Sequence, residues 1–276
     1  EFWQNAPVAT GKQAAFLGRM DVYKTSIAAI DKALNAIAAD AISPQFYTSS
    51  VAIFDIVNTL PAVKARYALF SNDYVLAMTE ANLVNLTSKN TLNFDNANPN
   101  VLGTTVISNN VFQPLDANLG LPVTLAPDPA DKRLPFYTTM IGTPPTLRMK
   151  GFATSTTAAI PIFLPGEMIL IKAEAYARQN PADLGNALTE LNKVVTKTTD
   201  VYGIGADLPQ LTGPFTQPQL LELIYKHRCI EMYASGLKLE DMRRFNRPES
   251  EMKRNFMPYP FQERDNNSNT PADPTF

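Results

Sequence analysis

Proline placement constrains this 276-residue chain more than any other feature. Between Thr87 and Pro165 stand Pro99, Pro114, Pro122, Pro127, Pro129, Pro135, Pro144 and Pro145, set among many Asn and Thr residues. Proline has no backbone donor and its ring strikes the preceding turn, so no long helix runs through this stretch. The reading is a loop-rich irregular lobe over 87–165, with short strands at Val101–Ile107 and Leu147–Ala153. Loops of that length in a compact protein are usually functional or disordered.

On both sides the helical period holds. From Asp21 to Ala41 the residues Val22, Tyr23, Ile27, Ile30, Leu34 and Ile37 recur at helical spacing, with Asp21 as the N-cap and Ser43-Pro44 as the end. Val51 to Val57 is an apolar run of open type. Pro61 suits the first turn of the next helix. Asn72-Asp73 breaks it, and Tyr74 to Leu86 forms a second helix in which Ala77 and Ala81 permit close approach. Further on come a helix over Glu167–Arg178 and another starting at Pro181-Ala182-Asp183, with Ala187, Leu188, Leu191, Val194 and Val195 as its buried stripe. Gln217–Ala234 is a third, closed by Gly236. The polar tail from Arg264 to Phe276 lies on the surface.

Lys64–Ala77 can be laid over Lys172–Asp183: each has a small-residue helix carrying a Tyr, an Asn-centred turn and a second alanine-bearing helix. That is the logic of tetratricopeptide-type hairpins. The expected fold is therefore mainly α, one domain with a helical scaffold over about 12–86 and 166–246, the lobe over 87–165 and an extended tail over 247–276.

Composition excludes several functions. Hydrophobic residues make up 45% and charged residues 18%, in a chain long enough to bury a sizeable core. A net charge of −2 and a pI near 5.6 argue against nucleic acid, which calls for a basic stripe. No apolar run reaches the roughly 18 residues of a membrane span. The single cysteine, Cys229, leaves no intrachain disulfide and no cysteine-based zinc cluster.

Catalytic arrangements fare no better. His227 and Cys229 stand two residues apart on a helix, so they point in different directions and cannot face each other. No nucleophile elbow and no glycine-rich phosphate loop is present, so the chain reads as a non-enzyme without a cofactor. Glu240, Asp241, Arg243 and Arg244 sit at ion-pair spacing, as do Arg228 and Glu231. Asp265-Asn266-Asn267-Ser268-Asn269 offers oxygen donors but lacks the glycine and closing glutamate of a calcium loop, so no metal site is assigned.

Three stretches carry a family resemblance. Ile169-Leu170-Ile171-Lys172-Ala173-Glu174-Ala175-Tyr176, with Ala187-Leu188-Thr189-Glu190-Leu191-Asn192-Lys193-Val194, resembles the helix pair LIxAEA…AxxxLNxVR. Leu221 to Met232, followed by Gly236 and Glu240-Asp241-Met242-Arg243-Arg244, is similar to ERRxELxxEGxRxxDLRR. Met257-Pro258-Tyr259-Pro260 and the tail to Phe276 resemble a PIPxxExxxNPxLxQNPGY ending, and Asp131-Lys132-Arg133-Leu134 looks like DPRL. Together they resemble the SusD/RagB family of outer-membrane nutrient-binding lipoproteins, over roughly 61–276. Lys238 and Glu240 depart from the family pattern, which often has Arg and an aromatic there, and no Glu precedes Gly236. Members are usually longer, so the chain is expected to be a C-terminal portion or a short divergent member.

The resemblance implies non-catalytic capture of a nutrient, most often an oligosaccharide, and hand-over to a TonB-dependent (SusC-like) transporter. It also implies a cell-surface lipoprotein in the outer membrane, anchored through an N-terminal cysteine outside this chain. Sugars are held by aromatic faces and planar polar groups. Loops over a rigid scaffold commonly carry binding, which nominates Phe112, Gln113, Phe136, Tyr137 and Arg148, with Phe94, Asp95, Asn96, Asn109, Asn110 and Phe152 around them. Trp3, the sole tryptophan, either stacks a ring or packs. The alternative is a tetratricopeptide-type module holding a peptide in a groove lined by Asn and Lys from the hairpins.

Overall fold

A computed structural model describes residues 2–9, 11, 13–49 and 55–275. The run Val51–Val57 falls largely outside the described residues, as does Phe276. The described elements begin with a small antiparallel pair, β1 (Asn5–Pro7) and β2 (Phe16–Gly18), and then α1 (Arg19–Ala39). A short α2 (Pro44–Ser49) precedes the first hairpin, α3 (Ile56–Phe70) and α4 (Tyr74–Leu83). The lobe holds β3 (Thr91–Leu92), a helical turn α5 (Val101–Gly103), α6 (Arg133–Tyr137), β4 (Thr138–Ile141), β5 (Thr146–Met149) and β6 (Ile160–Pro161). A second hairpin follows, α7 (Pro165–Arg178) and α8 (Leu184–Val195), then α9 (Gln217–Glu231) and α10 (Lys238–Arg244). Two short helices close the chain, α11 (Glu249–Met252) and α12 (Phe261–Asn266).

Both hairpins are built alike. Asp73 caps α4 by accepting from Leu76 N at 3.0 Å, and Asp183 caps α8 by accepting from Asn186 N at 3.0 Å. Lys64 donates to Glu80 across the first hairpin at 2.6 Å, and Lys172 pairs with Glu190 across the second at 3.4 Å. These are the two lysines that the internal repeat aligns. Ala62, Ala65 and Ala68 of α3 meet Ala77 and Ala81 of α4 without exposed surface to speak of, as small residues at a close helix contact should.

Helix α7 is the centre of the molecule. It packs on α3 and α4 through Met168 and Ile171, and on α8 and α9 through Ile169, Leu170, Ala173 and Ala177. A helix covered on opposite sides has no polar face to spare, so its acidic residues Glu167 and Glu174 are buried too and are met by arginines, Arg66 on one and Arg178 and Arg244 on the other. No helix among the described residues is long and apolar enough to cross a membrane.

Several boundaries differ from the sequence reading. Helix α1 starts at Arg19 with Gly18 at its cap, so Asp21 sits in the first turn, where it suits the helix dipole without capping. The helix stops at Ala39, and Pro44 opens α2 instead of ending α1. Pro61 lies inside α3, because Asp55 caps that helix six residues earlier by accepting from Asn58 N. Val57, whose carbonyl loses its partner to Pro61, is exposed to water. Helix α4 ends at Leu83. Helix α9 ends at Glu231, and Gly236 (φ +85°) serves the turn into α10 instead of capping α9. Val101–Ile107 is helical, α5 running into a π-type turn over Thr104–Ser108, and of the second expected strand, Leu147–Ala153, only Leu147–Met149 forms, as part of Thr146–Met149.

Buried polar groups hold the lobe together and tie it to the scaffold. Asn100 donates to Phe152 O at 3.2 Å and Ala158 O at 2.7 Å, and accepts from Gly103 N at 3.0 Å. Gly103 passes so close to Ser155 that an added Cβ would lie 2.1 Å from its carbonyl oxygen. Arg133, fully buried, joins Asp131 at 2.7 Å to Glu231 of α9 at 3.1 Å.

Candidate functional site

The β4–β5 hairpin turns through Gly142 (φ +83°) and pairs Thr139 with Arg148 and Ile141 with Thr146. Side chains alternate along a strand, so these four share one face. That face looks across a cleft of about 460 Å³ at Ile107, Asn110 and Gln113. Val106, Met149, Lys150 and Thr154 complete the lining. Asn110 adopts φ +50°, a left-handed conformation that Asn tolerates well, and so turns the chain after the Thr104–Ser108 turn.

Gln113 is the staple of this cleft. Its amide donates to Val106 O and to Asn110 Oδ1, both at 3.0 Å, and its carbonyl accepts from Met149 N at 2.9 Å. It joins the two walls, and both amide hydrogens are committed. The cleft is thus walled by apolar Ile107 and Ile141 and furnished with Asn, Thr, Arg and Lys. Such a surface suits a ligand with a flat apolar face and hydroxyls at its edge.

The nominated residues part company. Gln113 and Arg148 come together in the cleft, and Phe112 lies beside Gln113 in sequence, 49% exposed. Phe136 is half-buried and meets Tyr137 edge-on at 4.9 Å and Phe152 at 5.6 Å. Tyr137 is 1% exposed, and its hydroxyl donates to Glu231 O. Burial and the nearby Glu231 carboxylate push the Tyr137 phenol well up, so it stays protonated. Trp3 is half-buried far from the cleft in sequence and donates to Pro258 O at 2.9 Å. Thr139, Ile141, Lys150 and Thr154 escaped the sequence reading; the period-two pattern flanking Gly142–Pro145 was the available signal.

Other hollows exist among the described residues. One of about 420 Å³ lies between scaffold and lobe, walled mostly by apolar groups including Tyr137, Phe152 and Phe163, with the Arg66–Glu167 ion pair on its lining. Another of about 740 Å³ lies where the two hairpin turns come side by side, with Lys24, Asn72, Tyr74, Arg178 and Asn180 around it.

The buried charges form structural networks. Glu174 receives Arg244 at 2.7 and 2.9 Å and Arg178 at 2.7 Å; Asp241 receives Arg228 at 3.0 Å and Arg244 at 2.6 Å. Arg243 pairs with Glu240 as the spacing suggests. Arg228 and Glu231 do not pair with each other: Arg228 turns to Asp241, and Glu231 to Arg133 and Lys197. His227 sits against Arg133, while Cys229 packs among Leu119, Leu121 and Met242. Burial above all pushes the Cys229 thiol up to about 12, leaving it protonated and inert. No cluster of metal-ligating side chains occurs among the described residues. The Asp265–Asn269 tail is tied down instead, Asn267 donating to Ala14 O and Asn269 to Gln13 O, each at 2.8 Å.

Known structures share this architecture. A SusD-like carbohydrate binding protein from Bacteroides vulgatus ATCC 8482 superposes with a TM-score of 0.62 at 17% identity, covering 86% of this chain and 55% of that one. It has the SusD-like fold. A SusD superfamily protein from Bacteroides thetaiotaomicron VPI-5482 gives 0.63 at 13% identity, over 99% of this chain and 72% of that one. NanU from B. fragilis gives 0.62 at 14% identity, over 99% and 73%. The SusD-like chain described here therefore spans between about half and three quarters of these proteins. No family model and no curated protein sequence matches it.

Proposed function

We propose that this SusD-like chain binds an oligosaccharide without altering it, in the cleft between the Ile107–Gln113 segment and the β4–β5 hairpin. The cleft itself carries the reading: apolar Ile107 and Ile141 stand beside hydrogen-bonding Asn110, Thr139, Arg148 and Thr154 on a lobe stapled by Gln113. The B. vulgatus neighbour, a carbohydrate binding protein, agrees with it. Phe112, exposed and adjacent in sequence to Gln113, is the aromatic assigned in this proposal to stack on a sugar face. Phe136, Tyr137 and Trp3 act as supports in this proposal. Binding to a polysaccharide array, followed by titration of Asn110→Ala and Phe112→Ala, tests it. Wild-type affinity in both variants would remove the cleft from consideration.

The same reading places the protein at the outer-membrane surface as a lipid-anchored partner of a TonB-dependent transporter, to which it hands its ligand. The SusD-like motifs and fold support this. Co-purification of a β-barrel transporter from detergent-solubilised outer membranes is the expected result, and its absence from native membranes counts against the pairing.

One observation favours a second reading. The hollow at the hairpin turns offers Lys24, Asn72 and Asn180, the lining expected of a peptide-binding helical repeat. Peptide binding lost in Asn72→Ala, with polysaccharide binding absent, would favour it over the cleft.

A further inference from the structure

The charge around the lobe cleft is one-sided. Arg148 and Lys150 both line it, and no carboxylate does. The buried and half-buried arginines elsewhere meet carboxylates: Arg66 meets Glu167, Arg133 meets Asp131 and Glu231, and Arg228 and Arg244 share Asp241. Arg148 meets no carboxylate among the described residues, although it is half-buried. Its partner across the hairpin is uncharged Thr139, and Gln113 on the opposite wall has its amide hydrogens committed elsewhere. Lys150 is exposed and among the described residues donates only to Pro135 O, at 3.3 Å. The whole chain carries −2, so this positive potential is local to the cleft. A cationic cleft with low-dielectric walls concentrates ligands of opposite charge.

We propose that the cleft takes an anionic glycan, one whose sugar rings bear carboxylate or sulfate groups, with Arg148 receiving the anion. The inference rests on the reading of the cleft as a glycan site. A guanidinium offers two parallel N–H donors, which match the paired oxygens of either group. Lys150 adds a second positive charge at the rim. Asn110, Thr139 and Thr154 meet sugar hydroxyls, and Ile141 covers a ring face.

The test is isothermal titration of the whole chain with four probes: oligogalacturonides, their methyl esters, dextran sulfate and unmodified dextran. Binding to one or both acidic probes is expected, weakening as sodium chloride is raised and falling about tenfold or more in Arg148→Gln. Which acidic probe binds separates carboxylate from sulfate. Lys150→Gln, an exposed change that leaves the hairpin untouched, should weaken binding by less, and Lys32→Gln on α1 should leave it unchanged. Neutral probes bound as tightly as their acidic counterparts, or acidic binding intact in a folded Arg148→Gln, would overturn the anion inference and keep the glycan reading. Failure of all four probes would overturn both.

Discussion

Arg133 Nη2 lies 2.9 Å from His227 Nδ1, both side chains buried. A guanidinium only donates, so Nδ1 accepts and the imidazole is neutral, with its proton on Nε2. Burial first, and then the charges of Arg133 and Lys226, hold the His227 pKa well below the usual range. The unfolded chain takes up a proton near pH 6.5 while the folded one resists it. The unfolded state therefore binds more protons below that pH, and stability falls as pH drops. Denaturant unfolding should show a loss of about 1.4 kcal/mol from this group between pH 7.5 and 5.5. His227→Gln should flatten that slope; an unchanged slope in the variant refutes the assignment.

Glu174 is fully buried with three guanidinium neighbours, Arg178, Arg228 and Arg244. Glu174→Ala leaves these charges with Asp241 as their remaining buried carboxylate, which should cost about 3–5 kcal/mol. The midpoint of urea unfolding measures this. A cost near that of a surface change, within about 0.5 kcal/mol, would show that the network relaxes into water.

Gly103→Ala would drive a Cβ to 2.1 Å from the Ser155 carbonyl oxygen, a backbone atom with little freedom to retreat. The turn that follows carries Ile107 into the cleft, so the damage should be local and functional. A destabilisation of about 1–3 kcal/mol is expected, together with weaker ligand binding. Thermal melting and titration on the same sample check both, and intact binding would detach α5 from the cleft.

Leu191 of α8 is fully enclosed against α7 and α9, whereas Val75 on α4 is 71% exposed. Leu191→Ala should cost about 2–5 kcal/mol and Val75→Ala no more than about 0.5 kcal/mol. Equal effects in calorimetry would contradict the packing described.

The scaffold was legible because its signals are local. Asp73 and Asp183 cap where the Asn-centred turns predict, and the Lys64 and Lys172 alignment reappears as matching cross-hairpin ion pairs. Pro61 was misplaced because its helix's cap, Asp55, lies inside the Val51–Val57 run, whose type the residues leave open. The cleft was harder. Strands of four residues, Thr138–Ile141 and Thr146–Met149, give too few alternations to stand out beside a proline-rich turn. Composition also cannot say which way a loop aromatic faces: Phe112 points outward by its exposure, while Tyr137 closes the core. The contacts of Arg133 with His227 and Glu231 join residues 94 and 98 positions apart, and no short-range pattern reports such a pair.

The location of the ligand is best tested by hydrogen–deuterium exchange with and without a saturating polysaccharide found on the array. Protection confined to about 104–113 and 138–154 is the result expected of a ligand seated between the Asn110 turn and the β4–β5 hairpin. Protection at 71–76 and 178–180, with the lobe unchanged, would place the ligand at the hairpin turns and contradict the account.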